Sequence, residues 1–135
     1  MKPNKTQKQI IGLLGEDVSS RYLINKGFKI ITRNYRKKFG EIDIIAKRRG
    51  RLHFVEVKTV SHENVGEVTP ETIDTFRPED NIHPWKLKRL SRAIQVYMAE
   101  RRYGDEVDWQ FDVITVLLDV KNKLAKVRML EDVIL

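Results

Sequence analysis

Residues 40–59 read GEIDIIAKRRGRLHFVEVKT, and the fold turns on this stretch. Glu41 to Arg48 and Arg51 to Thr59 are rich in Ile, Val and Phe and read as two strands. Arg49-Gly50 between them reads as a two-residue turn. If Arg48 opposes Arg51, Asp43 falls opposite Glu56 and Glu41 opposite Lys58, with opposed Cβ atoms ~4.5–5.5 Å apart. Alternate strand residues share a face, so Glu56 and Lys58 project to the same side. Asp43 lies among Ile42, Ile44 and Ile45, and Glu56 between Val55 and Val57. Charges in apolar strands cost several kcal/mol unless they are paired or bind a metal.

Working outward, Phe28 to Asn34 reads as a strand before this hairpin, and residues 7–26 as a helix stopped by Gly27. Ile10, Ile11, Leu14, Val18 and Tyr22 form the expected apolar stripe of that helix. On a helical wheel Glu16 falls off the stripe, beside Gly12 and Ser19, and the period alone places it in solvent. Residues 1–6 read as a mobile basic tail and 60–83 as a long acidic loop. A second helix opens at His83-Pro84-Trp85 and runs to about Tyr103, with Leu87, Leu90, Ile94, Tyr97 and Met98 facing inward. Trp109 to Leu118 and Leu124 to Leu130 complete the chain as strands. The order α-β-β-β-α-β-β predicts a single-domain α/β fold over residues 7–135. Its mixed central sheet has about five strands, and the second helix crosses over to bring the fourth strand parallel to the third.

The chain has 135 residues, no cysteine and a net charge of +7. Disulfide scaffolds, cysteine zinc sites and thiol nucleophiles are therefore excluded. No apolar run approaches the ~18–20 residues that span a bilayer, so no membrane partner is expected. The basic start has no following apolar stretch of a secretory signal, and a cysteine-free chain suits a reducing compartment, so the expected location is cytoplasmic. Charge is uneven: residues 1–59 carry +10, 60–83 carry −5, 84–103 carry +5 and 104–135 carry −3. Two basic segments in one small domain point toward a polyanion.

The facing carboxylates add chemistry to that charge. Asp43 and Glu56 repel each other unless a cation lies between them, and oxygen-only ligands suit Mg²⁺ or Mn²⁺. Lys58 beside them can orient a water or offset charge on a phosphate. The plainer reading is a surface hairpin with solvated charges and a Glu41–Lys58 cross-strand pair.

An Asp followed by Glu-x-Lys on the next strand, after a helix carrying a Glu, resembles the PD-(D/E)XK, or restriction-endonuclease-like, nuclease superfamily. More closely, the chain resembles the YraN-like family of bacterial proteins. The resemblance rests on Gly15-Glu16, Tyr22-Leu23, Arg33-Asn34, Gly40 to Asp43, Phe54 to Lys58, Lys86 with Arg89-Leu90, and Phe111-Asp112-Val113, and covers roughly residues 12–118. It implies Asp43 and Glu56 as metal ligands, Lys58 as the catalytic lysine and Glu16 as a helix-borne carboxylate completing the site. Lys86 is then a phosphate contact, and Glu41 a partner for Lys58 or an outer group of the site. The chain departs from the family pattern at Val60, where a basic residue is common, at Ser19, where Ala is usual, and in its longer, more acidic 60–83 segment.

The implied activity is divalent-metal-dependent hydrolysis of phosphodiesters in DNA, with branched or single-stranded substrates in view, by an enzyme whose fold often works as a homodimer. Arg36, Lys37, Lys38, Lys86, Lys88 and Arg89 are the candidate DNA contacts. Two alternatives stand beside it. One is a non-catalytic nucleic-acid-binding module, for which the basic segments suffice. The other is an assembly factor whose acidic 60–83 segment covers the basic site. His53, His62 and His83 lack metal-ligand spacing and read as structural, and Trp85 and Trp109 as core anchors. Asp112 reads as an outer carboxylate of the site or a sheet-end hydrogen-bond acceptor. Gly12-Leu13-Leu14-Gly15 lacks the strand context of a nucleotide fingerprint.

Overall fold

The computed structural model describes residues 5–61 and 84–135. The elements are α1 (Gln7–Asn25), β1 (Lys29–Lys37), β2 (Gly40–Arg48), β3 (Arg51–Ser61), α2 (Pro84–Glu100), β4 (Trp109–Asp119) and β5 (Leu124–Leu130). This is the expected order. Met1 to Asn4 and residues 62–83 lie outside the described residues, and with them most of the basic tail and of the acidic loop. The described edges of both correct the boundaries. Thr6 is no tail residue but the N-cap of α1, its hydroxyl accepting from the Gln9 N–H at 3.1 Å while the Gln9 side chain accepts from the Thr6 N–H at 2.9 Å. Val60 and Ser61 continue β3.

The five strands form one sheet in the order β1-β2-β3-β4-β5. Only β3 and β4 run parallel. Arg49 and Gly50 both have positive φ, 52° and 77°, as a hairpin turn matching the strand twist requires. This turn sets Arg48 opposite Arg51 and carries the expected register through Ile44 opposite Val55.

The sheet is buried on both faces. Leu90, Ala93, Ile94 and Tyr97 of α2 pack with Ile42, Ile45, Leu52, Phe54, Phe111 and Val113. On the other face Leu23, with Val18 and Tyr22 beside it, brings α1 onto Ile44, Ala46, Val55, Ile114 and Val116. The face of α1 differs from the expected stripe. Ile10 and Leu14 are 41% and 37% exposed, whereas Gly15, Ser19, Ser20 and Leu23 are buried. The reason is steric: a Cβ on Gly15 would sit 1.8 Å from Thr59 Oγ1, so the helix approaches β3 through its smallest residue. Ile11, Val18 and Tyr22 of the expected stripe do pack against the core, but the closest approach is made by the small residues beside them.

The tryptophans are also not core anchors: Trp85 is 56% and Trp109 43% exposed. Trp109 keeps an edge contact with Phe54 at 5.6 Å, while Trp85 opens α2 at the protein surface. Among the described residues, no helix is long and apolar enough to cross a membrane.

Candidate active site

The site is built by an irregularity in β2. Ile42 belongs to the α2 side of the core and Ile44 to the α1 side, although residues two apart in a regular strand share a face. The strand therefore rotates at Asp43. Across from it on β1, Asn34 lies between the Arg33–Ile44 and Tyr35–Ile42 pairs with φ at 53°. The β2–β3 pairing is recorded only as far as Ile44 and Val55, so Asp43 and Glu56 are not ladder partners. Instead the Val57 N–H donates to Asp43 Oδ2 at 2.8 Å, and the carboxylate replaces a strand carbonyl. Beyond this point β3 is held by β4, which pairs with it to Ser61.

Asp43 thus lies at the fork between β2 and β3. Burial, then the charge of Glu56, push its pKa up to about 8; a hydrogen bond with Glu56 and the charge of Glu16 add to the rise, and the Val57 N–H opposes it. Burial and the neighbouring carboxylate thus favour the protonated form of Asp43 in the metal-free site. Glu56 is itself buried, only 3% exposed. Its Oε1 is met at 2.5 Å by the Lys86 ammonium from α2. Burial disfavours the charge on Lys86, yet the hydrogen bond and attraction to Glu56 raise its pKa. Lys58 is half-buried, and its pKa is lowered first by burial and then by the neighbouring Lys86 ammonium.

A cavity of about 990 Å³ gathers Glu16, Asp43, Glu56 and Lys86, with Glu41 and Arg36 on its wall and Lys5 and Lys8 at its edge. Glu16, which the helical period placed in solvent, is therefore at the site, because Gly15 seats that turn of α1 on β3. Its Oε2 is buried without a hydrogen-bond partner, with the Arg33 guanidinium 3.7 Å away. Arg33 also binds Asp17 at 2.9 Å. The sequence marks this arginine only as part of the Arg33-Asn34 motif and as a cation within an Ile-rich strand, not as a site residue.

Other residues lie elsewhere. Glu41 pairs with Arg36 at 3.5 Å, so the expected Glu41–Lys58 partnership is replaced by one on the neighbouring strand. Asp112 is no outer carboxylate of the site. It accepts from Gln110 at 2.8 Å and from the Asp132 N–H at 2.9 Å, and contacts buried His53 at 2.6 Å. His53 is structural, as expected, while His62 and His83 lie outside the described residues. Lys37 pairs with Glu100 at 3.1 Å. Lys38 stands over the Phe39 ring at 5.8 Å, and Lys88 is exposed. Arg89 lines a smaller cavity of about 450 Å³ with Glu41, Glu56, Trp85, Lys86 and Leu90. A Cβ on Gly40 would meet the Arg89 carbonyl at 2.2 Å, so the basic β1–β2 hairpin lies directly against α2.

Two oxygen ligands on adjoining strands suit a hard cation that keeps several waters, as Mg²⁺ does. The raised pKa of Asp43 and the unpartnered Glu16 oxygen fit such a group. Among the described residues no three His, Asp or Glu side chains converge as a metal-binding set. The arrangement therefore supplies Asp43 and Glu56 as a pair, with Glu16 standing back on Arg33.

Residues 15–116 match the model of the uncharacterised protein family UPF0102. The chain belongs to this family. A UPF0102 protein of Campylobacter fetus is 36% identical over 110 residues, covering 82% of this chain and 86% of its own. One from Clostridium botulinum is 34% identical over 122 residues, covering 90% and 91%. Another, from Prosthecochloris aestuarii, is 37% identical over 107 residues, covering 79% and 76%. The family is the YraN-like one that the motifs resemble. The matched span contains every residue of the carboxylate–lysine constellation.

Proposed function

We propose that this UPF0102 chain is a divalent-metal-dependent endodeoxyribonuclease. The observation that carries this reading is the Asp43–Glu56 pair at the β2–β3 fork, close enough for one carboxyl to raise the pKa of the other. Asp43 and Glu56 would hold Mg²⁺ or Mn²⁺, with Glu16 reaching from α1. When bound, such an ion supplies Lewis-acid polarisation and a more acidic water. Lys58 projects from the same strand as Glu56, with its proton already loosened by burial and by Lys86. It orients the attacking water or offsets charge on the phosphate, as a positioned cation does. The basic residues Lys5 and Lys8 in the cavity lining attract a phosphate backbone over an acidic floor.

The test is cleavage of duplex, single-stranded and branched DNA with Mg²⁺ or Mn²⁺. Wild type is expected to cut, while Asp43→Asn and Lys58→Ala lose at least 100-fold in rate, a loss typical of a removed charge-stabilising group. Activity persisting in both variants overturns the reading. A non-catalytic DNA-binding module is the second reading. It is favoured by the absence of a three-ligand set among the described residues and by the seating of Lys86 on Glu56. On that reading neutralising Glu56 leaves DNA binding unchanged.

A further inference from the structure

Lys86 lies in the first turn of α2, a turn with no acidic residue. The helix dipole favours acids there and disfavours a cation, so the helix itself does not account for this lysine. Its partner does. The ammonium reaches Glu56 Oε1 at 2.5 Å, on a carboxylate almost wholly removed from water. Lys58 brings a second ammonium beside the first. The buried acid of the fork is thus already paired with a cation of the protein, at one of the oxygens a metal would use.

We propose that Lys86 is a built-in stand-in for the divalent cation. Its ammonium and the metal exclude each other on Glu56, and the displaced lysine becomes a contact for substrate phosphate. This rests on the nuclease reading above. Two cations on one carboxylate repel strongly in a half-buried site. The lysine stem is flexible, with freely turning donors. The smaller cavity, shared by Glu56, Lys86 and Arg89, offers the displaced side chain a place beside a second cation. Lys86 is thereby a positioning residue that couples the two ligands: metal on Glu56 favours DNA, and DNA reciprocally favours metal.

The test is calorimetric titration of the full chain with Mn²⁺ alone, in wild type, Lys86→Gln and Lys86→Arg. Lys86→Gln is expected to bind Mn²⁺ roughly tenfold or more tightly, the scale on which groups around a metal site act. Lys86→Arg, which keeps the competing charge, stays close to wild type. Fluorescence anisotropy on labelled DNA then shows Mn²⁺ raising affinity in wild type, with a smaller rise in Lys86→Gln. Lys86→Met, which keeps the packing of the stem, replaces Gln if that variant does not fold. Wild-type binding of Mn²⁺ with no gain in the uncharged variants overturns the stand-in role alone. No Mn²⁺ binding by any of the proteins overturns the metal-dependent reading as well.

Discussion

At the scale of single residues, Asp43 sets the pH behaviour of the metal-free protein. Its folded pKa, about 8, lies above the ordinary carboxylate value of 3.8, raised first by burial and then by Glu56. The fold therefore favours the protonated form. The stabilisation this contributes is complete below the unfolded pKa and is lost as pH rises through 8. Asp43→Asn keeps an oxygen for the Val57 N–H and removes the charge. In metal-free buffer it is expected to be more stable than wild type at pH 9, by roughly 2 kcal/mol or more, and to show no advantage below about pH 4. Urea melts across that range check this; equal slopes of stability against pH in the two proteins would contradict it. The closeness of Asp43 to Glu56 was legible from strand alternation and the Arg49-Gly50 turn, although the two are not ladder partners. The hydrogen bond to Val57 was not, because it depends on a rotation in β2 that breaks the alternation from which the register was read.

At the scale of elements, α1 carries the largest difference between sequence and structure. Ile11, Val18 and Tyr22 of the expected stripe pack on the core, but Ile10 and Leu14 turn outward and Gly15, Ser19 and Ser20 take the buried positions. Periodicity weights bulk, whereas a helix lying close on a sheet is selected by the absence of bulk. Gly15→Ala is expected to lose about 1–3 kcal/mol, the usual cost of overpacking, because the added methyl meets Thr59. Thr59→Ala in the same chain recovers part of the loss. If the clash lifts that turn of α1, Glu16 withdraws from the cavity, and on the proposed function Mn²⁺ affinity falls together with stability. Thermal melts and titrations on the two variants separate these effects. An unchanged melt for Gly15→Ala would show that α1 does not rest on β3 as described. The capping box at Thr6 and Gln9 and the stop at Gly27, with φ at 90°, are local signals, and the extent of α1 was accordingly close to its reading.

At the scale of the whole molecule, the net charge of +7 overstates the basic surface available to a polyanion. Arg36 and Lys37 are engaged by Glu41 and Glu100. Among the described residues Lys38 and Lys88 have no acidic partner. On the proposed function, Lys38→Ala is expected to reduce the slope of log DNA affinity against log salt by about 1, the effect of losing one phosphate contact. Lys37→Ala reduces it by less, since its charge is already balanced. Anisotropy titrations between low and moderate salt measure both, and equal slopes for the two variants would remove the distinction. The sequence by itself determined the order of elements and the hairpin register from Arg48–Arg51 to Ile44–Val55, because strand alternation and turn chemistry act over a few neighbouring positions. Only the tertiary structure decided that Glu16 faces the site, that Asp43 reaches across the fork, and that Lys86 meets Glu56. The first and last join elements far apart in the chain, and the second joins neighbouring strands where their pairing ends. They depend on how closely a glycine lets a helix approach and on where a strand departs from its regular period.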